Sequence, residues 1–188
     1  QLAFAIVHST TIALPAWRKA CKEKGKSPRL IPRDVRTRWN SLYDMLVVAT
    51  EYKEVVNTVT GDRNLDLRKY DVSDAEWTIL EDMVFTLKVF KDATILFSAD
   101  SKSTIANVIT TIDKIDDLIT TTVVPTTARR RQRIVHVSIR EALALAKKTM
   151  NKYYSATDES NVYRIAMGTH YVHLLLYLIN NPSSSPEP

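Results

Sequence analysis

Apolar residues recur at three- and four-residue intervals through most of this chain, and that spacing commits it to helices. Ile105, Val108, Ile112, Ile115 and Ile119 keep the interval, with Asp113, Lys114, Asp116 and Asp117 largely on the opposite face, the pattern of an amphipathic bundle helix. Only three Gly stand against seven Pro among the 188 residues, which argues against a turn-rich all-β chain. An all-α, mostly helical bundle is expected, on a length that ordinarily makes one domain. The hydrophobic share of 45% and charged share of 25% are the mix of a folding globular chain.

Helix boundaries can be placed residue by residue. From Leu2, the positions Ala3, Ile6, Ala13, Trp17 and Ala20 keep helical spacing around Pro15, giving two helices or one kinked helix. Gly25 is a natural stop, and Pro28 and Pro32 hold the following stretch extended. Thr37 is placed to cap a helix burying Trp39, Leu42, Tyr43, Leu46, Val47 and Ala49, continuing to Val56 and ending near Gly61. Ser73-Asp74-Ala75-Glu76 is a capping box, flanked by Val72 and Trp77 at the spacing of a hydrophobic staple. The helix it starts carries Trp77, Leu80, Val84, Leu87 and Phe90 and fades around Ser98 to Ser101. Thr120 to Thr127 breaks the pattern as a loop leading to Arg129-Arg130-Arg131-Gln132-Arg133. Val135, Ile139, Ala142, Leu143, Ala146, Met150 and Tyr153 then form a further helical face, and Asp158 is placed to cap a short helix through Ile165. The tail from Pro182 to Pro188 has too little apolar surface to order itself.

Charge is segregated. Between Arg18 and Arg38, nine Lys or Arg face Glu23 and Asp34 alone, a balance of +7; residues 39 to 128 carry −7 and residues 129 to 188 carry +5. A concentrated basic stretch is the electrostatic footprint of phosphate contacts. Lys19, Lys22, Lys24 and Lys26 read equally well as a solvated helix end, since cations complement a helix C-terminus. Arg29, Arg33, Arg36 and Arg38 carry more weight, because guanidinium matches phosphate in a bidentate fork. Arg129 to Arg133 reads either as a DNA or nuclear-import element or as a solvated run.

Other chemistry is thin. There is no phosphate-cradling glycine loop, GxSxG elbow, HExxH or paired-cysteine motif. Cys21 is the one cysteine, read as a packing residue. His170 and His173 lack a third ligand, and Asp113, Asp116 and Asp117 sit beside Lys114 on one element, so neither set is expected to bind metal. No membrane segment is expected, since the apolar run Leu174 to Ile179 is far too short to span a bilayer. The start at Gln1 resembles no signal peptide and reads as cut from something longer.

Asp34-Val35-Arg36-Thr37-Arg38-Trp39-Asn40-Ser41, followed by Tyr43-Asp44-Met45-Leu46, resembles the D-x-x-T-R-W-N-S-x-Y-x-M-L segment of hAT-superfamily DNA transposases. The likeness continues through Leu67-Arg68-Lys69-Tyr70, Val89 to Thr94 and Ala146 to Tyr154, and covers roughly residues 2 to 167. It implies the helical insertion of an RNase H-like transposase domain, without the catalytic sheet, over 1–167, and a divergent segment with a disordered Pro/Ser tail over 168–188. By that resemblance Trp39 stacks on a flipped nucleotide and Arg38 steadies the backbone beside it; on spacing alone, Trp39 instead packs into the bundle. The family's catalytic Asp, Asp and Glu would lie outside this stretch, and Gly168 to Leu174 departs from the family pattern, which implies a truncated or mis-joined product.

The implied function is a non-catalytic transposase fragment that contacts transposon-end or hairpin DNA through Arg29, Arg33, Arg36, Arg38 and Trp39, in the nucleus and without a cofactor, Mg²⁺ belonging only to an intact parent enzyme. The competing reading is a helical interaction or scaffold remnant that self-associates through an orphaned apolar face and has little DNA affinity.

Overall fold

A computed structural model describes residues 1–35, 37–98, 105–123, 133–163, 165, 166 and 168, with the backbone alone for Trp39 and Asp158. Among these residues the regular elements are all helical, apart from one isolated bridge between Val35 and Arg38. The all-α expectation holds. By proximity the chain divides into two compact units, Gln1–Lys91 and Asp92–Pro188. The expected boundary at 167/168 falls where the described residues end. His170, His173 and the 182–188 tail lie outside them.

The first unit opens with α1 (Leu2–His8) and α2 (Ala13–Glu23). Of the two arrangements the sequence allows, it adopts separate helices, and the break precedes Pro15 rather than falling on it. Pro15 is the third residue of α2, where a backbone amide has no intrahelical acceptor to lose. Ser9 makes the join: its hydroxyl accepts from the Ala13 amide at 3.1 Å and its carbonyl from the Leu14 amide at 2.9 Å. Gly25 ends α2 with φ +64°, a conformation that suits a residue without Cβ. The amides of Gly25 and Lys26 turn back onto the carbonyls of Lys22 and Cys21 at 3.1 and 2.8 Å, closing the helix end as a Schellman motif.

The expected single helix from residue 39 to Gly61 is two, α3 (Trp39–Glu51) and α4 (Lys53–Gly61). The Thr50 hydroxyl donates back to the carbonyls of Leu46 and Val47, a contact that bends helices, and Tyr52 sits at the joint with φ −100° and ψ 20°. Trp17, Cys21, Ile31, Val48, Tyr52, Val55, Val56, Val59 and Trp77 form the core, with Val72 packed against it. Cys21 is fully enclosed, and burial pushes its thiol pKa up, as suits a packing residue.

The capping box forms as expected at the start of α5 (Asp74–Phe97), whose last turns belong to the second unit. The Ser73 amide and hydroxyl donate to Glu76 Oε2 at 2.8 and 2.7 Å, and the Glu76 amide returns a bond to Ser73 Oγ at 3.3 Å. These bonds, the hydroxyl first, hold the Glu76 carboxyl below its ordinary pKa. A depressed carboxyl pKa contributes stability that is present above the unfolded value and is lost as pH falls through the folded one. The first turn of α5 should therefore stay capped at neutral pH and fray only in acid. Ser73→Ala removes the hydroxyl but keeps the amide bond, so the Glu76 titration, followed by NMR, should move part of the way toward that of an ordinary glutamate; an unchanged curve would reject the hydroxyl as the main cause. Of the expected stripe on α5 only Trp77 is fully buried; Asp82 and Thr86 are buried too, with the Thr86 hydroxyl donating to the Asp82 carbonyl at 3.0 Å.

In the second unit α6 (Val108–Val123), entered through a 3₁₀ turn at Ile105–Asn107, packs against α7 (Val137–Asp158) around Ile115, Ile119 and Leu143. The helix runs past the expected break at Thr120, because Ile119 and Thr122 are buried and the Thr121 hydroxyl is satisfied by the Asp117 carbonyl. Residues 124–132, including most of the second arginine cluster, lie outside the described residues. The face expected on α7 is narrower than its spacing suggests: Leu143 is buried, but Ala142 and Tyr153 are exposed, since α6 covers only one stripe. His136 caps α7, its Nδ1 accepting from the Ser138 amide at 3.3 Å. Asp158 is the last residue of α7 rather than a cap, and the Ser160 hydroxyl accepts from the Val162 amide at the next turn.

Candidate nucleic-acid interface

Two buried aromatic residues fix the course of the basic stretch. Trp17 and Tyr52 stack with centroids 6.0 Å apart inside the core, and each has a polar tip that must find a partner there. Both find it in the backbone of the segment after Gly25. Trp17 Nε1 donates to the Arg29 carbonyl at 3.1 Å, and the Tyr52 hydroxyl donates to the Ser27 carbonyl at 3.0 Å. Ile31, between the two prolines, is buried in the same core. Residues 26–34 thus form an irregular strap, tied down by carbonyls and one apolar side chain. Ser27, Arg29 and Arg33 remain exposed, and the Lys26 ammonium lies 5.7 Å from the Tyr52 ring centroid.

The strap ends in a turn closed by Ser41. The Ser41 hydroxyl accepts from the Val35 amide at 2.7 Å and lies 3.0 Å from Asp34 Oδ1, 2.7 Å from the Arg38 carbonyl and 3.2 Å from the Val35 carbonyl. One hydroxyl proton serves one of those three acceptors at a time. The Arg38 amide also donates to the Val35 carbonyl at 2.7 Å. Thr37 is therefore not the cap; it is exposed within the turn, and Arg38 occupies the N-cap position with extended backbone and no capping side chain. The turn is held instead by Asp34 and Ser41, the two ends of the D-x-x-T-R-W-N-S pattern. It places Trp39 as the first residue of α3; the first turn itself has no acidic residue, and the Asp34 carboxylate sits at that positive end of the helix dipole, 3.0 Å from the Ser41 hydroxyl.

Arg29, Arg33 and Arg38 are all exposed on this strap and turn. Among the described residues no carboxylate lies within ion-pairing distance of any of them. The lysines divide differently: Lys19 pairs with Glu23 at 3.9 Å and Lys24 with Glu54 at 3.7 Å, so part of the lysine charge is already answered locally. Arg33 lies 5.5 Å from the Phe4 ring centroid, beside an open groove of about 690 Å³ lined in part by Phe4, Met45 and Tyr70. Arg36 and the side chain of Trp39 lie outside the described residues. Asn40 Oδ1, next along α3, is buried and has no partner among the described residues.

The anchors Trp17, Tyr52, Ile31 and the Asp34–Ser41 pair were not foreseen as parts of the site. The available signal was the pair of amphipathic aromatics, since a buried indole N–H or phenol needs an acceptor, but sequence does not say where that acceptor lies. Elsewhere, the acidic face of α6 is engaged within the second unit. Lys147 pairs with Asp116 at 3.1 Å and with the Thr120 hydroxyl, and the Tyr154 hydroxyl donates to Asp113 at 3.2 Å. Among the described residues no group of three or more His, Cys, Asp or Glu is arranged to hold a metal ion, and no helix is long and apolar enough to cross a membrane.

No curated protein and no solved structure matches the chain. A family model does: residues 6–85, which contain α2, the strap, the Asp34–Ser41 turn and α3, are similar to the ZBED1 RNase-like helical domain.

Proposed function

We propose that residues 1–91 form a DNA-contacting helical module of hAT-transposase descent, acting in the nucleus, and that this chain contains no strand-transfer centre of its own. One observation carries the reading: three guanidinium groups without ion-pair partners among the described residues stand together, Arg29 and Arg33 on a strap whose backbone is tied to buried Trp17 and Tyr52 and Arg38 on the turn that follows it. Ordering the strap beforehand lowers the entropy cost of engaging a phosphate backbone. The motif around Arg38 and Trp39, and the similarity of residues 6–85 to an RNase-like helical domain, support the descent. In this reading Trp39 supplies the stacking surface, and Arg29, Arg33, Arg36 and Arg38 the phosphate contacts, for transposon-end or hairpin DNA. The Mg²⁺ of an intact transposase does not fit the acidic cluster present, because Asp113, Asp116 and Asp117 share one helix and Lys147 already sits on Asp116.

The test is a salt titration of binding to hairpin DNA. Each phosphate contact adds about 0.9 to the slope of log affinity against log salt. The Arg29→Ala/Arg33→Ala/Arg38→Ala variant should therefore flatten the slope by about two to three units. An unchanged slope would remove the strap from the interface.

The scaffold reading has its own support in the second unit, where Ile134, Leu145 and Tyr153 are 75%, 64% and 66% exposed. It expects concentration-dependent self-association in sedimentation, without salt-sensitive DNA binding.

A further inference from the structure

We propose that Ser27 is a phosphorylation site for a proline-directed serine/threonine kinase, and that its modification switches off the basic strap. This rests on the strap being the DNA-contacting element, although the acceptor chemistry is tested separately below.

Ser27 is followed by Pro28 and preceded by Lys26, on an exposed segment without helix or strand that begins directly after the φ +64° turn at Gly25. Protein kinases take their acceptors from accessible peptide outside helices and strands, and the proline-directed class requires proline directly after the acceptor; here the Arg29 amide donates to the Ser27 carbonyl at 2.7 Å, a local turn at Pro28 that must open in the kinase cleft. A second Ser-Pro pair, Ser185-Pro186, is followed by Glu187 and lacks the basic neighbours, so it serves as an internal comparison.

The local hydrogen bonds make the position more than a sequence match. Tyr52 has one hydroxyl proton, and it donates that proton to the Ser27 carbonyl at 3.0 Å. The Ser27 hydroxyl, 3.0 Å from the same phenol oxygen, is then the donor in their side-chain pair. In the transfer, Ser27 Oγ attacks the γ-phosphorus of ATP and a new Oγ–P bond forms. The bond from that phosphorus to the β,γ-bridging oxygen breaks, ADP leaves with the electron pair, and the kinase's base takes the hydroxyl proton. The product can only accept at that position. The single Tyr52 proton must then choose between the Ser27 carbonyl and a phosphate oxygen, so one of the strap's two aromatic anchors is weakened. At the same time a charge of about −1.5 to −2 is placed between Lys26 and Arg29. Both effects lower the affinity of the strap for a polyanion.

The experiment treats the 188-residue chain, its Ser27→Ala variant and a peptide of residues 22–32 with ATP and a proline-directed kinase, and maps the added phosphate by mass spectrometry. Hairpin-DNA binding is then measured on modified and unmodified chain across a salt series. Expected are near-complete modification of Ser27 ahead of Ser185, none at that position in Ser27→Ala, a loss of affinity of tenfold or more, and a salt slope lower by about one to two units. The acceptor assignment is overturned if the peptide is modified while Ser27 in the chain is not, or if neither is. The switch is overturned if the phosphorylated chain binds DNA as tightly, and as salt-dependently, as the unmodified one. If the unmodified chain shows no salt-dependent binding, the proposed function fails and the switch falls with it, while the mass still decides whether Ser27 is an acceptor.

Discussion

Trp17→Ala is expected to destabilise the first unit by about 3–5 kcal/mol, the usual cost of deleting a fully buried large aromatic side chain. Against a typical domain stability of about 5–15 kcal/mol, that is a large share of the whole. Trp17 is 0% exposed, stacks on Tyr52, and is in the cluster that joins α2 to Ile31 of the strap and Val55 of α4. Urea unfolding followed by circular dichroism measures the loss, and a change below about 1 kcal/mol would contradict this placement of the indole. Trp17→Phe separates packing from hydrogen bonding. It keeps most of the apolar volume but removes the donor to the Arg29 carbonyl, so the expected cost is about 1 kcal/mol, since a carbonyl near the surface recovers water. Its larger effect should be on the strap, as faster hydrogen exchange around Arg29 and weaker DNA binding than that small loss of global stability accounts for.

The second large effect belongs to Trp39. If its indole takes over the stacking of an extruded base, Trp39→Ala should weaken hairpin DNA by about 1–3 kcal/mol, or about five- to 150-fold, while plain duplex is held nearly as before. Competition binding with the two DNAs under one salt condition measures the ratio. Equal losses on both would assign Trp39 to packing or general affinity, and no loss on either would take it out of the interface. Arg38→Lys gives a companion measure. It keeps the charge but loses the planar fork, so hairpin affinity should fall while the salt slope stays nearly constant.

What the sequence made legible follows from the range of the interactions involved. The capping box at Ser73 and Glu76 and the stop at Gly25 are local, set by residues three to five apart, and each formed as expected; of the α6 stripe Ile115 and Ile119 are buried, while Ile105 lies in the 3₁₀ turn ahead of the helix and is exposed. The break at Tyr52 was missed because hydrophobic spacing continues across it, while the Thr50 hydroxyl and the distant Ser27 carbonyl draw the backbone there into another course. Thr37 was misread for a related reason. A Thr before an apolar run is a fair cap candidate, but Asp34 and Ser41 close the turn first and leave Arg38 at the helix start. Tyr153 and Ala142 show the limit of periodicity: it identifies the helix, but how wide a stripe is covered depends on α6. For the candidate site, charge segregation pointed to the arginines, and their contact with DNA is the proposal. Their anchors were not legible, because Trp17 meets Arg29 across twelve positions and Tyr52 meets Ser27 across twenty-five.

The central question is where nucleic acid meets the chain. Hydrogen–deuterium exchange of the 188-residue chain with and without hairpin DNA tests this most directly. Protection concentrated in residues 26–41, fading as salt is raised, is the predicted result. Protection confined to residues 133–163, or no change anywhere while DNA is bound, would contradict it.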